Sequence, residues 1–288
     1  MKKVSKKTKI ITVATCFLIL VGTIAFNVVT APHVKKEVTP MNMDKVWIVE
    51  DSDGDGTVSK GDLIELENVD YNKDKKTDRF RVMKTDGNRY TLMSLEKNNT
   101  AIITYKANVE EFDGKYGISY RKSSILSWCN SYFCSLPEYV QDAVVEQKIK
   151  QSMYRLEYKD PDEDPATDAC MGKYFYMYDS PAAVEKAKEY ADEYRVELTK
   201  VSEIDAGTYS VYIPDVDDIL EYLGDNSQPY NFNTLYGEDD SGLNICLRSA
   251  VEGYPDRICS INMVANNFGD FRGINENCFS PMFTVEIE

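Results

Sequence analysis

Between Asp51 and Asp62 the chain reads Asp-Ser-Asp-Gly-Asp-Gly-Thr-Val-Ser-Lys-Gly-Asp, with oxygen-bearing side chains at alternate places. A hard divalent cation such as calcium takes about six to eight oxygen ligands, and one short loop supplies them only by turning sharply around the ion. Asp51, Asp53 and Asp55 offer carboxylates at the first, third and fifth places, and Thr57 a backbone carbonyl at the seventh. Ser59 stands ninth, often served by a bridging water, and Asp62 closes the set at the twelfth. Gly56 occupies the sixth place, where the reversal falls, and Val58 puts an apolar side chain at the eighth. Four carboxylates in twelve residues repel one another, and a bound cation relieves that repulsion. The competing reading is a solvated acidic turn before a strand.

The loop resembles the EF-hand and dockerin pattern, with the shorter Asp62 where glutamate is usual. Its flanks, KVWIVE and LIELENV, read as strands rather than helices. The stretch DYNKDKKTD at 70–78 repeats the acidic spacing, but Lys75 stands where glycine is needed.

Asp215, Asp217 and Asp218 are close enough in sequence to hold a cation or to serve as a glycosidase pair. Acids at a helix start do the same job for the helix dipole, and that reading is preferred. Arg248, in LRSA, could bind a ligand carboxylate or phosphate, but an ordinary ion pair is preferred, and Trp128 is read as a core residue. The one histidine is His33, so the remainder of the chain has none. That excludes Ser–His and Cys–His catalysis and ordinary histidine-ligated zinc from the folded region.

These groups need a scaffold, and the ends of the chain place it outside a membrane. Lysines 2, 3, 6, 7 and 9 precede an uncharged run from Ile10 to Ala31. Its 22 residues, at about 1.5 Å each, match a hydrocarbon core of roughly 30 Å. Residues 1–31 are therefore expected to be a membrane anchor, or a cleaved signal, with the cytoplasm on the lysine side. Residues 32–44 read as a stalk and 45–288 as an extracellular domain. The chain carries 33 basic and 48 acidic residues; without the seven lysines before residue 37 the balance is 26 to 48, or −22. A nucleic-acid partner is excluded by that charge. Cysteines 129, 134, 170, 246, 259 and 278 follow the anchor, enough for up to three disulfides.

Alternating strands fill the first part of the domain, with Lys84-Thr85-Asp86-Gly87-Asn88 as a hairpin turn. Helices are expected over SSILSWCNSYFCSLP, PEYVQDAVVEQKIK, SPAAVEKAKEYADEY and DVDDILEYLG, the last starting at Asp215 and closed by Gly224. Strands return in GLNICLRSA, DRICSINMVAN and FSPMFTVEIE. Strands, helices and strands again give an α+β fold class after an N-terminal membrane helix.

From about residue 60 onward the chain resembles a domain family of exported Gram-positive bacterial proteins whose function is unknown. KGDLIELENV with DRFRVMKTDGNRYTLMS resembles its opening hairpin, and SSILSWCN its Ser-x-x-x-x-Trp-Leu-Asn helix start. YIPDVDDI resembles its Pro-Ser-x-x-Asp segment, and NICLRSA with FSPMFTVEI its last strands. Ser280 and Met282 replace the arginine and alanine of its closing motif. The resemblance implies a C-type-lectin-like or formylglycine-generating-enzyme-like fold, which does not decide function. The expectation is a membrane-anchored or secreted extracellular module with one structural Ca2+ bound through Asp51, Asp53, Asp55, Thr57, Ser59 and Asp62. A cell-surface glycan or protein would be its partner, through a non-catalytic surface. The alternatives are an envelope-assembly part, a carboxylate-based glycosidase or a thiol-dependent enzyme.

Overall fold

The structure is a computed structural model that describes residues 37–288, apart from 72, 74, 96–102, 105–108, 160–194, 225–229, 237–243, 263–266, 273–275 and 278. Its strands begin with β1 (Val46–Glu50), β2 (Leu63–Leu66), β3 (Arg79–Asp86), β4 (Arg89–Ser94), β5 (Ile103–Thr104), β6 (Val109–Phe112) and β7 (Lys115–Ile118). Two helices follow, α1 (Ile125–Ser135) and α2 (Glu138–Ala143), and then β8 (Val144–Val145), β9 (Gln147–Lys159) and β10 (Arg195–Tyr209). After α3 (Val216–Leu223) and α4 (Asn233–Tyr236) come β11 (Asn244–Val251), β12 (Tyr254–Asn262), β13 (Asn267–Arg272), β14 (Glu276–Asn277) and β15 (Met282–Glu286).

Six strands form one sheet in the order β1-β2-β3-β4-β15-β8, and five form another in the order β10-β9-β11-β12-β13. Every pair is antiparallel except β9 with β11. In the β3–β4 hairpin Asp86 faces Arg89, and Gly87 takes the positive φ of 61° that the two-residue turn demands. Before β1, Met41 is buried and its N–H donates to Glu286 O, so the domain takes in part of the segment read as a stalk.

Helix α1 turns Ile125, Trp128, Cys129 and Tyr132 inward, the spacing of one helical face. There Trp128 meets Tyr132 and Phe279 at centroid distances of 5.8 and 6.2 Å, and Phe80 meets Phe283 edge-on at 5.5 Å. A second cluster, Tyr230, Phe232 and Phe268, packs Phe268 of β13 at 4.9 and 5.2 Å.

The α+β expectation is corrected: the described chain is mostly β, with four α-helices. The helix expected from Pro137 to Lys150 ends at Ala143. Val144 and Val145, β-branched neighbours, leave it for the six-stranded sheet, and the following residues become β9. β9 and its partner β10 are the longest strands described, where helices were expected to dominate. The helix expected at 180–194 lies outside the described residues, as does the apolar run at 10–31. No helix among the described residues is long and apolar enough to cross a membrane, so the expected N-terminal membrane helix has no support from the structure. Cysteines 129, 134, 246 and 259 form no disulfide with one another, and Cys170 and Cys278 lie outside the described residues.

Gly117 of β7 lets the β6–β7 hairpin lie against the five-stranded sheet. A Cβ there would sit 2.9 Å from Ala250 Cβ and 2.7 Å from Met153 Cε. Gly117→Ala is expected to destabilise the domain by about 1–3 kcal/mol through overpacking, read as a lower urea midpoint. An unchanged midpoint would mean that the hairpin does not pack there.

Candidate cation loop and polar cleft

The loop at 51–62 connects β1 to β2, so it is a hairpin connection rather than the link between two helices. Asp51, Asp53 and Asp55 each place a carboxylate oxygen within 4.8 Å of the others. The backbone bends the chain around this point. Asp51 accepts from the N–H of Gly54 at 2.6 Å and of Gly56 at 2.8 Å, and the two glycines have φ near 75° and 76°. Those N–H donors, Gly56 foremost, hold the Asp51 carboxyl below its usual range. Asp55 accepts from the Thr57 N–H and hydroxyl, both at 2.7 Å, and the Ser59 hydroxyl donates to Asp53 at 3.1 Å. Among the described residues no lysine or arginine pairs with any of the three aspartates.

Asp62 departs from the expected ligand set. It is fully buried, and its Oδ1 accepts from the Ser52 N–H at 2.8 Å and the Ser52 hydroxyl at 2.7 Å. Its Oδ2 accepts from the Ser59 N–H at 2.7 Å. The carboxylate expected to close the shell around the ion instead ties the two ends of the loop together. Val58 is buried beside it, and Gly61 bonds to Val82 across to β3. The group that remains for a cation is three carboxylates, with Ser59 and the Thr57 backbone alongside. That donor set fits a hard cation held weakly.

The described residues of the segment at 70–78 repeat two features of that loop. Lys73 and Lys75 have φ of 60° and 70°, at the places that Gly54 and Gly56 fill in the first loop. Lys75 N–H donates to Asp70 at 3.0 Å, and Tyr71 N–H donates to buried Asp78 at 3.1 Å. Lysine therefore takes the turn that seemed to require glycine, at a cost of about 1–2 kcal/mol per residue.

A separate polar cleft of ≈ 470 Å³ lies between the outer part of β3, β4 and β15, the start of β9, and α3. Its one buried cation among the described residues is Arg248 of β11, held by Lys150 O at 2.6 Å, Ile213 O at 2.5 Å and the Asp218 carboxylate at 2.8 Å. Asp215 lies 3.6 Å from it and caps α3 through the Asp217 N–H, while Asp218 reaches back to the Asp215 N–H at 2.7 Å. This is a reciprocal capping box, completed by Gly224 in the left-handed region at the far end. Burial pushes the Asp215 carboxyl up, against the pull of Arg248. Asp217 accepts from Tyr154 Oη at 2.5 Å, Ser152 Oγ at 2.6 Å and Lys200 Nζ at 2.7 Å. Burial raises its pKa, but those three donors together hold it below the usual carboxylate value. All three aspartates weighed for hydrolysis thus hold α3 and its neighbours in place. Cys129 is buried and its thiol is pushed up to about 12, which leaves it a poor nucleophile at neutral pH. The acidic motif at Asp215 and Arg248 in LRSA signalled this region in the sequence; the cleft itself is assembled from strands far apart in the chain.

Two outcomes test these roles. Asp62→Ala is expected to lower the domain's stability by roughly 1–3 kcal/mol in chelator, since it strands three donors, whereas Asp53→Ala costs less than half of that. Equal losses in chemical denaturation would deny Asp62 its structural role. The lowered pKa of Asp217 makes its contribution to stability complete above about pH 4. That contribution is lost as pH falls through the folded pKa; buried Asp215, raised, works in the opposite sense. Asp217→Asn should therefore flatten the fall in melting temperature below pH 4, and an unaltered acid limb would contradict the pairing.

Compared with protein-family models, with curated proteins and with solved structures, the chain matches none of them.

Proposed function

We propose that the chain is a non-catalytic ligand-binding module, held outside the cell by its apolar segment at 10–31 and stiffened by one calcium ion in the loop at 51–62. The convergence of Asp51, Asp53 and Asp55 within 4.8 Å, with no basic side chain paired to them among the described residues, carries the calcium part. In a domain of net charge −22, three carboxylates at that separation favour a divalent cation as their counter-charge. The second loop is a poorer host, because Lys73, Lys75 and Lys76 bring positive charge beside its acids. A recessed cleft, rather than a flat surface, favours ligand binding over a purely structural role. The −22 balance excludes nucleic acid as the ligand.

The assembly reading draws on one observation of its own. Trp47 and Val49 stand 46% and 50% exposed on β1, the last strand of its sheet, where unpaired edges invite another chain.

Calcium titration of the full chain in detergent, by calorimetry, tests the proposal. One site is expected with a Kd of roughly 10⁻⁴–10⁻³ M, abolished in Asp51→Ala/Asp55→Ala. At ten times that Kd the ion should stabilise the domain by about 1.4 kcal/mol. No heat and no thermal shift at several times the expected Kd would reduce the loop to an acidic turn.

A further inference from the structure

We infer that the cleft beside α3 binds a neutral saccharide. The inference rests on the binding-module reading and names its ligand class. Arg248 is 4% exposed and donates through Nε and Nη1, yet its Nη2 has no acceptor among the described residues. That nitrogen is not among the sealed, unpartnered atoms of the interior, so it opens to the cleft that Arg248 lines. Beside it, Asp218 spends Oδ2 on Arg248 and the Asp215 N–H and keeps Oδ1 for another donor. A nitrogen that needs an acceptor next to an oxygen that needs a donor suits a hydroxyl, which is both. Across the cleft the Thr91 and Thr284 hydroxyls share one hydrogen bond at 3.0 Å, adding a further pair of the same kind.

Charge selects against ions. Five cationic and five carboxylate side chains line the cleft, leaving it balanced in a strongly acidic domain. The cations already have partners: Lys84 with Glu221, Arg89 with Glu286, Lys148 with Asp205 and Lys150 with Glu203. An anionic or cationic ligand would compete with such pairs, whereas a neutral one leaves them intact. β4, in the middle of one wall, is paired on both sides by β3 and β15, so that strand offers no free edge to an extended peptide. Met83, Ile149 and Tyr212 supply the apolar surface on which the C–H face of a sugar ring rests. The volume of ≈ 470 Å³ falls within the roughly 300–1,000 Å³ of small-ligand clefts.

The test titrates the full chain with neutral trisaccharides of glucose, N-acetylglucosamine, galactose and xylose, with a triuronate and with tetraglycine as comparators. Thr91→Tyr, at a half-buried position on a strand, fills the cleft without touching Arg248; an unchanged melting temperature confirms that it folds. At least one neutral trisaccharide is expected to bind, at least tenfold more weakly to Thr91→Tyr. Binding of the triuronate or tetraglycine alone, lost in Thr91→Tyr, overturns the neutral-saccharide assignment and leaves the module reading standing. No binding by any probe, or binding indifferent to Thr91→Tyr, overturns the assignment of this cleft. The calcium titration fails or succeeds separately.

Discussion

A buried guanidinium holds this molecule together where its sheets meet. A charge removed from water is tolerated only when it is paired and its donors are met. Arg248 satisfies that condition by drawing four parts of the chain to one point: β11 that carries it, the Lys150 carbonyl of β9, the Ile213 carbonyl before α3, and Asp218 within α3. Two hydrogen bonds join Tyr212, in the same segment, to Met282 of β15, so the six-stranded sheet is tied to the same point. Gln151 completes the junction: its amide donates to Arg248 O and Ile118 O and accepts from the Tyr120 N–H. Deleting one member of such a set leaves the others buried and unmatched, typically at about 3–5 kcal/mol.

Buried aspartates repeat one device elsewhere. Asp62, Asp78 and Asp215 are each about 1% exposed or less, and each accepts backbone N–H groups, the first two in loops and Asp215 from Ser152 of β9 and from the start of α3. Part of the acidity of the domain is therefore architectural. The loop at 51–62 divides its acids by burial: the inward one shapes the turn, and the three at the surface are left for a cation. The cleft follows the same economy, since the aspartates that build its wall leave one oxygen and one nitrogen unspent.

Features set by neighbours in sequence were legible. Asp86-Gly87 gave the hairpin turn, Asp215 and Gly224 bracketed α3, and alternate aspartates with Gly56 marked the loop. Features set by distant partners were not. β9 begins straight after a helix, and its middle is buried on both faces, Gln151 to Tyr154, with two of those residues polar. No simple alternation announces such a strand, because its polar members are satisfied by residues distant in sequence: Ile118, Tyr120, Arg248, Asp215 and Asp217. Misreading it turned a mostly-β chain into an expected α+β one. Asp62 shows a related limit: spacing marks a carboxylate as available, whereas burial and the donors of Ser52 and Ser59 give it a second task in the loop. Lys73 and Lys75 show the converse, a backbone conformation imposed by the surrounding hydrogen bonds on residues that do not favour it.

The central claim is that the outer aspartates hold the ion while Asp62 holds the loop. A crystal structure of the chain grown in calcium, with anomalous data, reads both at once. The account predicts one ion at about 2.3–2.6 Å from oxygens of Asp51, Asp53 and Asp55, with Asp62 still accepting from Ser52 and Ser59. An empty loop at saturating calcium, or Asp62 swung onto the ion with its backbone partners released, would contradict it.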